Sequence, residues 1–118
     1  MEKTYQVRIT DYALEQMQEI QKYIAFTLRS PHTAEKWRTK MQKELASLSR
    51  FPSQIPLTEE EPWHSEGIHK MVVGKYLVYF WINEITREVW ITAVVYGSRN
   101  QRQQLSEMLF QDEKPDKY

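Results

Sequence analysis

The chain has 118 residues, no cysteine, and 16 basic side chains against 16 acidic ones. That length suits one domain of ordinary size. The absence of cysteine excludes a disulfide framework and thiolate chemistry, and the longest strongly apolar run, Tyr76 to Ile82, falls far short of the ~20 residues of a membrane-spanning helix.

A composition 41% hydrophobic and 13% aromatic belongs to a folded chain rather than a disordered one. The zero net charge is unevenly spread. Four acids lie at Glu59, Glu60, Glu61 and Glu66, and four more lie in the tail with Lys114 and Lys117. Setting residues 59–66 and 105–118 aside leaves 14 basic groups against 8 acidic ones. A positive core suits an anionic partner, although an ordinary mixed surface gives the same count. The start, Met1 to Thr4, lacks the apolar stretch of a signal peptide, so a cytoplasmic protein is expected.

Thr4 to Thr10 alternates Tyr5, Val7 and Ile9 with Gln6 and Arg8, which predicts a half-buried strand. Thr10 or Asp11 offers an N-cap oxygen. Leu14, Met17, Ile20 or Gln21, Ile24 and Leu28 recur at helical spacing, predicting one amphipathic helix over 11–29. Ser30-Pro31 stops it and starts another, because Pro is preorganised for the first helical position. Ala34, Trp37, Met41, Leu45 and Leu48 mark the apolar face of that second helix, which ends near Arg50-Phe51-Pro52. So short a connection predicts an antiparallel helical hairpin.

Residues 52–66, rich in Pro and Glu, read as a loop that buries Ile55, Leu57 and Trp63 against a sheet edge. Three strands follow. His69 to Val73 and Tyr76 to Ile82 are joined at Gly74-Lys75, where glycine favours a tight hairpin turn. Asn83 to Arg87 makes a longer turn, and Glu88 to Tyr96 is the last strand. The expected fold is α+β, in the order β-α-α-β-β-β: a twisted antiparallel sheet with a two-helix hairpin on one face. The domain is expected to span 1–105, with 106–118 a polar tail that frays. The central strand is apolar on both faces, so its second face calls for a cover, and a partner segment is one candidate.

The last strand delivers Tyr96, Arg99 and Arg102 at its exit. Together with the helical break at Ser30 to Ala34, the helix exit Leu45 to Leu48 with Phe51-Pro52, the run Gly74 to Phe80 and the run Val94 to Arg99, this order resembles the RelE/ParE superfamily of bacterial type II toxin–antitoxin toxins over about residues 4–105. The resemblance implies a toxin that arrests growth when free and is silenced by a cognate antitoxin. Contact with DNA would come only through that antitoxin. Two activities are implied by the two branches. ParE-like members poison DNA gyrase. RelE-like members cut mRNA on the ribosome without a metal. The ParE-like branch is slightly favoured. This chain has Tyr76 where the RelE-like pattern places an Arg, and its sequence pI of about 6.8 is low for a protein that docks on ribosomal RNA. A third reading, a non-toxic binding module of the same fold, stays open on the same substitution.

Metal-free RNA cleavage needs a base, an acid and cations for the phosphorane charge. Tyr96, Arg99 and His69 are the candidate catalytic residues, with Glu66 as an alternative base. Lys70, Lys75 and Arg102 are the candidates for phosphate or target binding. The bland alternatives are a strand-edge tyrosine, solvated arginines and lysines, and a histidine alternating with Met71 and Val73. His32, His64 and His69 lack metal-ligand spacing, so no metal and no cofactor are expected. Tyr76, Tyr79, Phe80, Trp81 and Trp90 read first as core and cross-strand packing.

Overall fold

The computed structural model describes residues 4–97, and Arg99, Arg102 and the tail lie outside them. Four strands, β1 (Gln6–Ile9), β2 (His69–Val73), β3 (Tyr76–Asn83) and β4 (Glu88–Tyr96), form one sheet in the order β1-β4-β3-β2. Two helices, α1 (Asp11–Lys22) and α2 (Pro31–Ala46), intervene between β1 and β2. The α+β class is as expected, with one correction. The sheet is mixed, because β1 runs parallel to β4, while β2–β3 and β3–β4 are antiparallel.

Chain direction explains the parallel pair. The helical hairpin returns the backbone to the end where β1 began: Tyr5 N donates to Ser49 O at 2.9 Å. The next strand therefore runs the same way as β1. Two further reversals make β4 run that way too, and β1 lies beside β4 rather than β2.

Thr10 caps α1, its hydroxyl oxygen accepting from Ala13 N at 3.2 Å. The helix does not reach residue 29 in regular form. Tyr23–Thr27 is a π turn, with Leu28 N donating to Tyr23 O, and Arg29 closes it at φ 54°. The wider turn breaks the 3.6-residue period. Ala13, Met17 and Ile24 are buried and Ile20 packs against the cluster that holds Ala13 and Met17, whereas Leu14 and Leu28, expected on the apolar face, are exposed. Pro31 opens α2, and Met41, Leu45 and Leu48 are buried beneath it.

These helices bury their apolar faces against Met71, Val73, Val78, Phe80, Val89, Ile91 and Val94. The opposite sheet face carries Leu77, Tyr79, Trp81, Ala93 and Val95, packed with Trp63 and Ile68. The chain's own Pro/Glu-rich segment thus contributes cover to the second face, where a partner segment had been one expectation. Leu57 bridges to His69 at the outer edge of β2.

One irregularity in β4 decides what faces what. Tyr79 pairs with Ala93 but Phe80 pairs with Ile91, so Thr92 is an extra residue, and its hydroxyl donates to Tyr79 O at 3.2 Å. Below this bulge Val89 and Ile91 face the helices. Above it the parity is reversed, so Val94 faces them and Ala93 and Val95 do not. Tyr96 consequently lies on the helix side of the sheet.

At the other end of β4, Glu88 accepts from Arg8 Nε at 2.8 Å, from Thr86 Oγ1 at 2.9 Å and from Trp90 Nε1 at 3.2 Å. The hydrogen bond from Arg8, then that from Thr86, holds its carboxyl below the usual carboxylate range. A depressed folded pKa adds stability above the unfolded value, and that stability is lost as pH falls through the folded one. Glu88→Gln is therefore expected to lower stability at neutral pH, to change it little near pH 3, and so to flatten the acid side of the stability–pH profile. Urea unfolding from pH 3 to 7 checks this.

Candidate functional site at the exit of β4

The exit end of the sheet is built around three aromatic side chains. Tyr76 and Tyr96 are cross-strand partners with ring centroids 5.5 Å apart, edge to face. Trp37 of α2 meets Tyr76 at 5.3 Å in a similar geometry. Burial, then the neighbouring phenols of Tyr96 and Tyr23, pushes the Tyr76 pKa above its ordinary value. It therefore remains a neutral hydrogen-bond donor at physiological pH.

The Gly74-Lys75 turn closes this end. Gly74 has φ 61°, a conformation that glycine takes without a Cβ penalty. The chain leaves β4 with Gly97 N donating to Lys75 O at 2.8 Å. A Cβ at Gly97 would lie 3.1 Å from that same oxygen, so glycine is what lets the exit pass so close to the turn.

Between the C-terminal part of α1 and the ends of β3 and β4 runs an open groove of about 740 Å³. Ile20, Tyr23, Ile24 and Leu28 form its helical wall, and Tyr76 and Tyr96 lie on the sheet side. Much of the adjoining apolar surface is bare: Phe26 is 76% exposed, Leu28 55% and Tyr23 54%. Tyr23 and Leu28 of this set also line the groove, and exposed apolar side chains gathered on one turn are the kind of surface that interaction sites use. A second hollow of about 200 Å³ opens beside Trp37, Lys40, Gly74, Lys75 and Tyr76.

The sequence-derived candidates separate in space. Tyr96 and Lys75 both line the groove. His69 does not join them. It pairs with Phe80, four residues along β3 from Tyr76, which is roughly 13 Å along the strand at about 3.3 Å per residue. Its ring stacks on Phe80 at 4.9 Å, and Nδ1 lies 2.6 Å from Ile55 O. A carbonyl only accepts, so Nδ1 carries the proton there. Lys70 pairs with Tyr79 and so faces the opposite side of the sheet from Tyr96. Arg99 and Arg102 lie outside the described residues. Sequence reasoning missed Lys40 and the π turn. The signal for Lys40 was the α2 periodicity, which places it one residue before Met41, but its proximity to Gly74 is a tertiary fact. Among the described residues no group of three or more His, Asp or Glu could hold a metal ion, and no helix is long and apolar enough to cross a membrane.

Solved toxin structures share this architecture. A chromosomal ParDE toxin–antitoxin system from P. aeruginosa matches with a TM-score of 0.65 at 16% identity, covering 79% of this chain and 96% of that one. The RelBE2 toxin–antitoxin complex of Mycobacterium tuberculosis matches at 0.55 and 21% identity, covering 79% and 98%. A double-arginine mutant of the E. coli toxin RelE in its free state matches at 0.59 and 14% identity, covering 91% and 96%. These likenesses establish the fold. No curated protein sequence matches the chain. The family model for the ParE toxin of the type II toxin–antitoxin system parDE matches residues 7–101, most of the chain and all but the first few described residues. With the helical hairpin, the four-stranded sheet and the Tyr96 exit in place, the chain belongs to the ParE toxin family, within the RelE/ParE superfamily of type II toxins.

Proposed function

We propose that this chain arrests growth by acting on a protein target, in the manner of the gyrase-directed branch, and that its antitoxin silences it by filling the groove at the β4 exit. The observation that carries the reading is the separation of the candidate catalytic groups. His69 is held four residues from the Tyr76–Tyr96 rung and packed on Phe80, and Lys70 faces the other side. A general base and a general acid must reach one substrate phosphate together, within hydrogen-bond distance. The exit end instead offers apolar area, and exposed Tyr23, Phe26 and Leu28 suit a protein surface. The antitoxin would be a short, partly disordered chain that folds on this surface, and any DNA binding by the pair would be the antitoxin's. The site of action is cytoplasmic.

A second reading is supported by Lys75 and Tyr96 lining one groove. There the chain would be a ribosome-dependent, metal-free endoribonuclease, completed by Arg99 and Arg102. The experiment is induction without antitoxin, with DNA integrity and protein synthesis followed in parallel. The gyrase-directed reading expects replication to stop first, with DNA breaks and filamentation, and His69→Gln to stay toxic. Translation stopping first, with mRNA cut in frame with codons and Tyr96→Phe slower by orders of magnitude, would replace it with the second. Unimpaired growth would leave a binding module.

A further inference from the structure

The small hollow beside the groove has a composition unlike the rest of the surface. Its floor is aromatic, from Trp37 and Tyr76, and Met41 and Val73 add aliphatic walls. Its rim carries two ammonium groups. Lys40 comes from α2, with Nζ 3.9 Å from where a Cβ of Gly74 would stand, and Lys75 comes from the turn itself. Both lysines are exposed, and among the described residues neither is in an ion pair. Among the described residues no carboxylate lines the hollow. The indole N–H of Trp37 is buried without an acceptor among the described residues.

We propose that this hollow is the seat of one acidic anchor residue of the antitoxin, its carboxylate held between Lys40 and Lys75 and its stem against Trp37 and Tyr76. The inference rests on the reading above that the antitoxin fills the adjoining groove. The two depressions share Lys75 and Tyr76, so a segment lying in the groove passes the mouth of the hollow. About 200 Å³ is below the roughly 300–1,000 Å³ of a pocket for a drug-sized ligand and fits a single side chain. Charge complementarity names the sign of that side chain, and the apolar floor makes it an anchor rather than a rim contact. A carboxylate drawn into a half-enclosed site gains more from two cations than one at an open surface. A nucleic-acid strand is less well matched, because it calls for a row of cations tracking successive phosphates, while the hollow offers two around an apolar floor.

The test uses the toxin with the antitoxin encoded beside it, expressed together and purified as a complex. Affinity is measured at several salt concentrations for wild type, Lys40→Ala/Lys75→Ala, Lys40→Arg, and Lys43→Ala as a control on the same helix. Circular dichroism melts verify that each variant folds. The proposal expects the double variant to bind at least tenfold more weakly with a flatter salt dependence, Lys40→Arg to stay within about threefold, and Lys43→Ala within twofold. It also expects the Trp37 indole N–H resonance to shift on binding in wild type and less in the double variant. Equal losses for Lys43→Ala and the double variant would reduce the effect to a general field and overturn the assignment. An unchanged double variant would overturn it while the antitoxin reading survives. A wild-type toxin that fails to bind the antitoxin would remove both. Loss of binding to a 12-nucleotide oligoribonucleotide, with antitoxin affinity intact, would transfer the hollow to nucleic acid.

Discussion

Phe80→Ala is expected to lower the stability of this domain by about 3–5 kcal/mol, the usual cost of truncating a large buried aromatic. Phe80 is fully buried in the core beneath the helical hairpin. It also carries the stacked ring of His69 on β2 and pairs with Ile91 just below the β4 bulge. A cavity there cannot collapse easily, because Phe80 sits mid-sheet between β2 and β4, in the core cluster shared with both helices. The loss is a large fraction of the 5–15 kcal/mol typical of whole domains. Denaturant unfolding should show a lower midpoint with an unchanged slope. A change below 1 kcal/mol would mean that the helices repack onto the sheet. His69→Ala is the informative companion. It removes the stack and the Ile55 contact but little volume, so a smaller loss is expected.

The second large effect concerns partner binding. Tyr23→Asp with Leu28→Asp is expected to weaken antitoxin binding at least 100-fold while leaving the fold intact. Both residues are more than half exposed, so the native core loses little by their replacement. In a filled groove the same positions would bury carboxylates against Tyr76 and Tyr96, and unpaired buried charge is costly. Co-expression gives the readout: wild-type toxin is rescued by its antitoxin and the variant is not. A variant rescued as well as wild type would place the antitoxin elsewhere.

Much of the fold was legible because its signals are local. Thr10 as a cap, Pro31 as the start of α2 and Gly74 as a left-handed turn residue each act within a few residues of sequence. The strand limits at His69, Val73 and Tyr96 followed from apolar runs and turn chemistry. What the sequence hid is non-local. The parallel β1–β4 pair follows from counting chain reversals, and could have been reasoned out. The bulge at Thr92 could not, since Trp90 to Val95 is apolar but for Thr92 itself and gives no parity to read. The π turn was masked by Leu28, which continues the helical period on paper and points to solvent in the structure. Candidate residues were harder still. His69, Lys70, Lys75 and Tyr96 are all near strand ends in sequence, but strand direction and face divide them. The exposed aromatic surface at the hairpin tip could only be recognised once the helix was known to change form.

β1 ends at Ile9, beside Ile91, and so leaves the upper half of β4 without a neighbouring strand on the side away from β3. The side chain of Gln16 stands in that place, its amide oxygen accepting from Val94 N at 2.8 Å. A single side-chain amide thus imitates the backbone of a missing strand. It spares β4 an unmet N–H in the middle of the molecule, and it denies that edge to any passing chain that might extend the sheet. Gln16 itself lines the groove proposed for recognition, beside Ile20, Tyr23 and Leu28, so an exposed apolar display and a sealed strand edge coexist along α1 and the π turn that follows it.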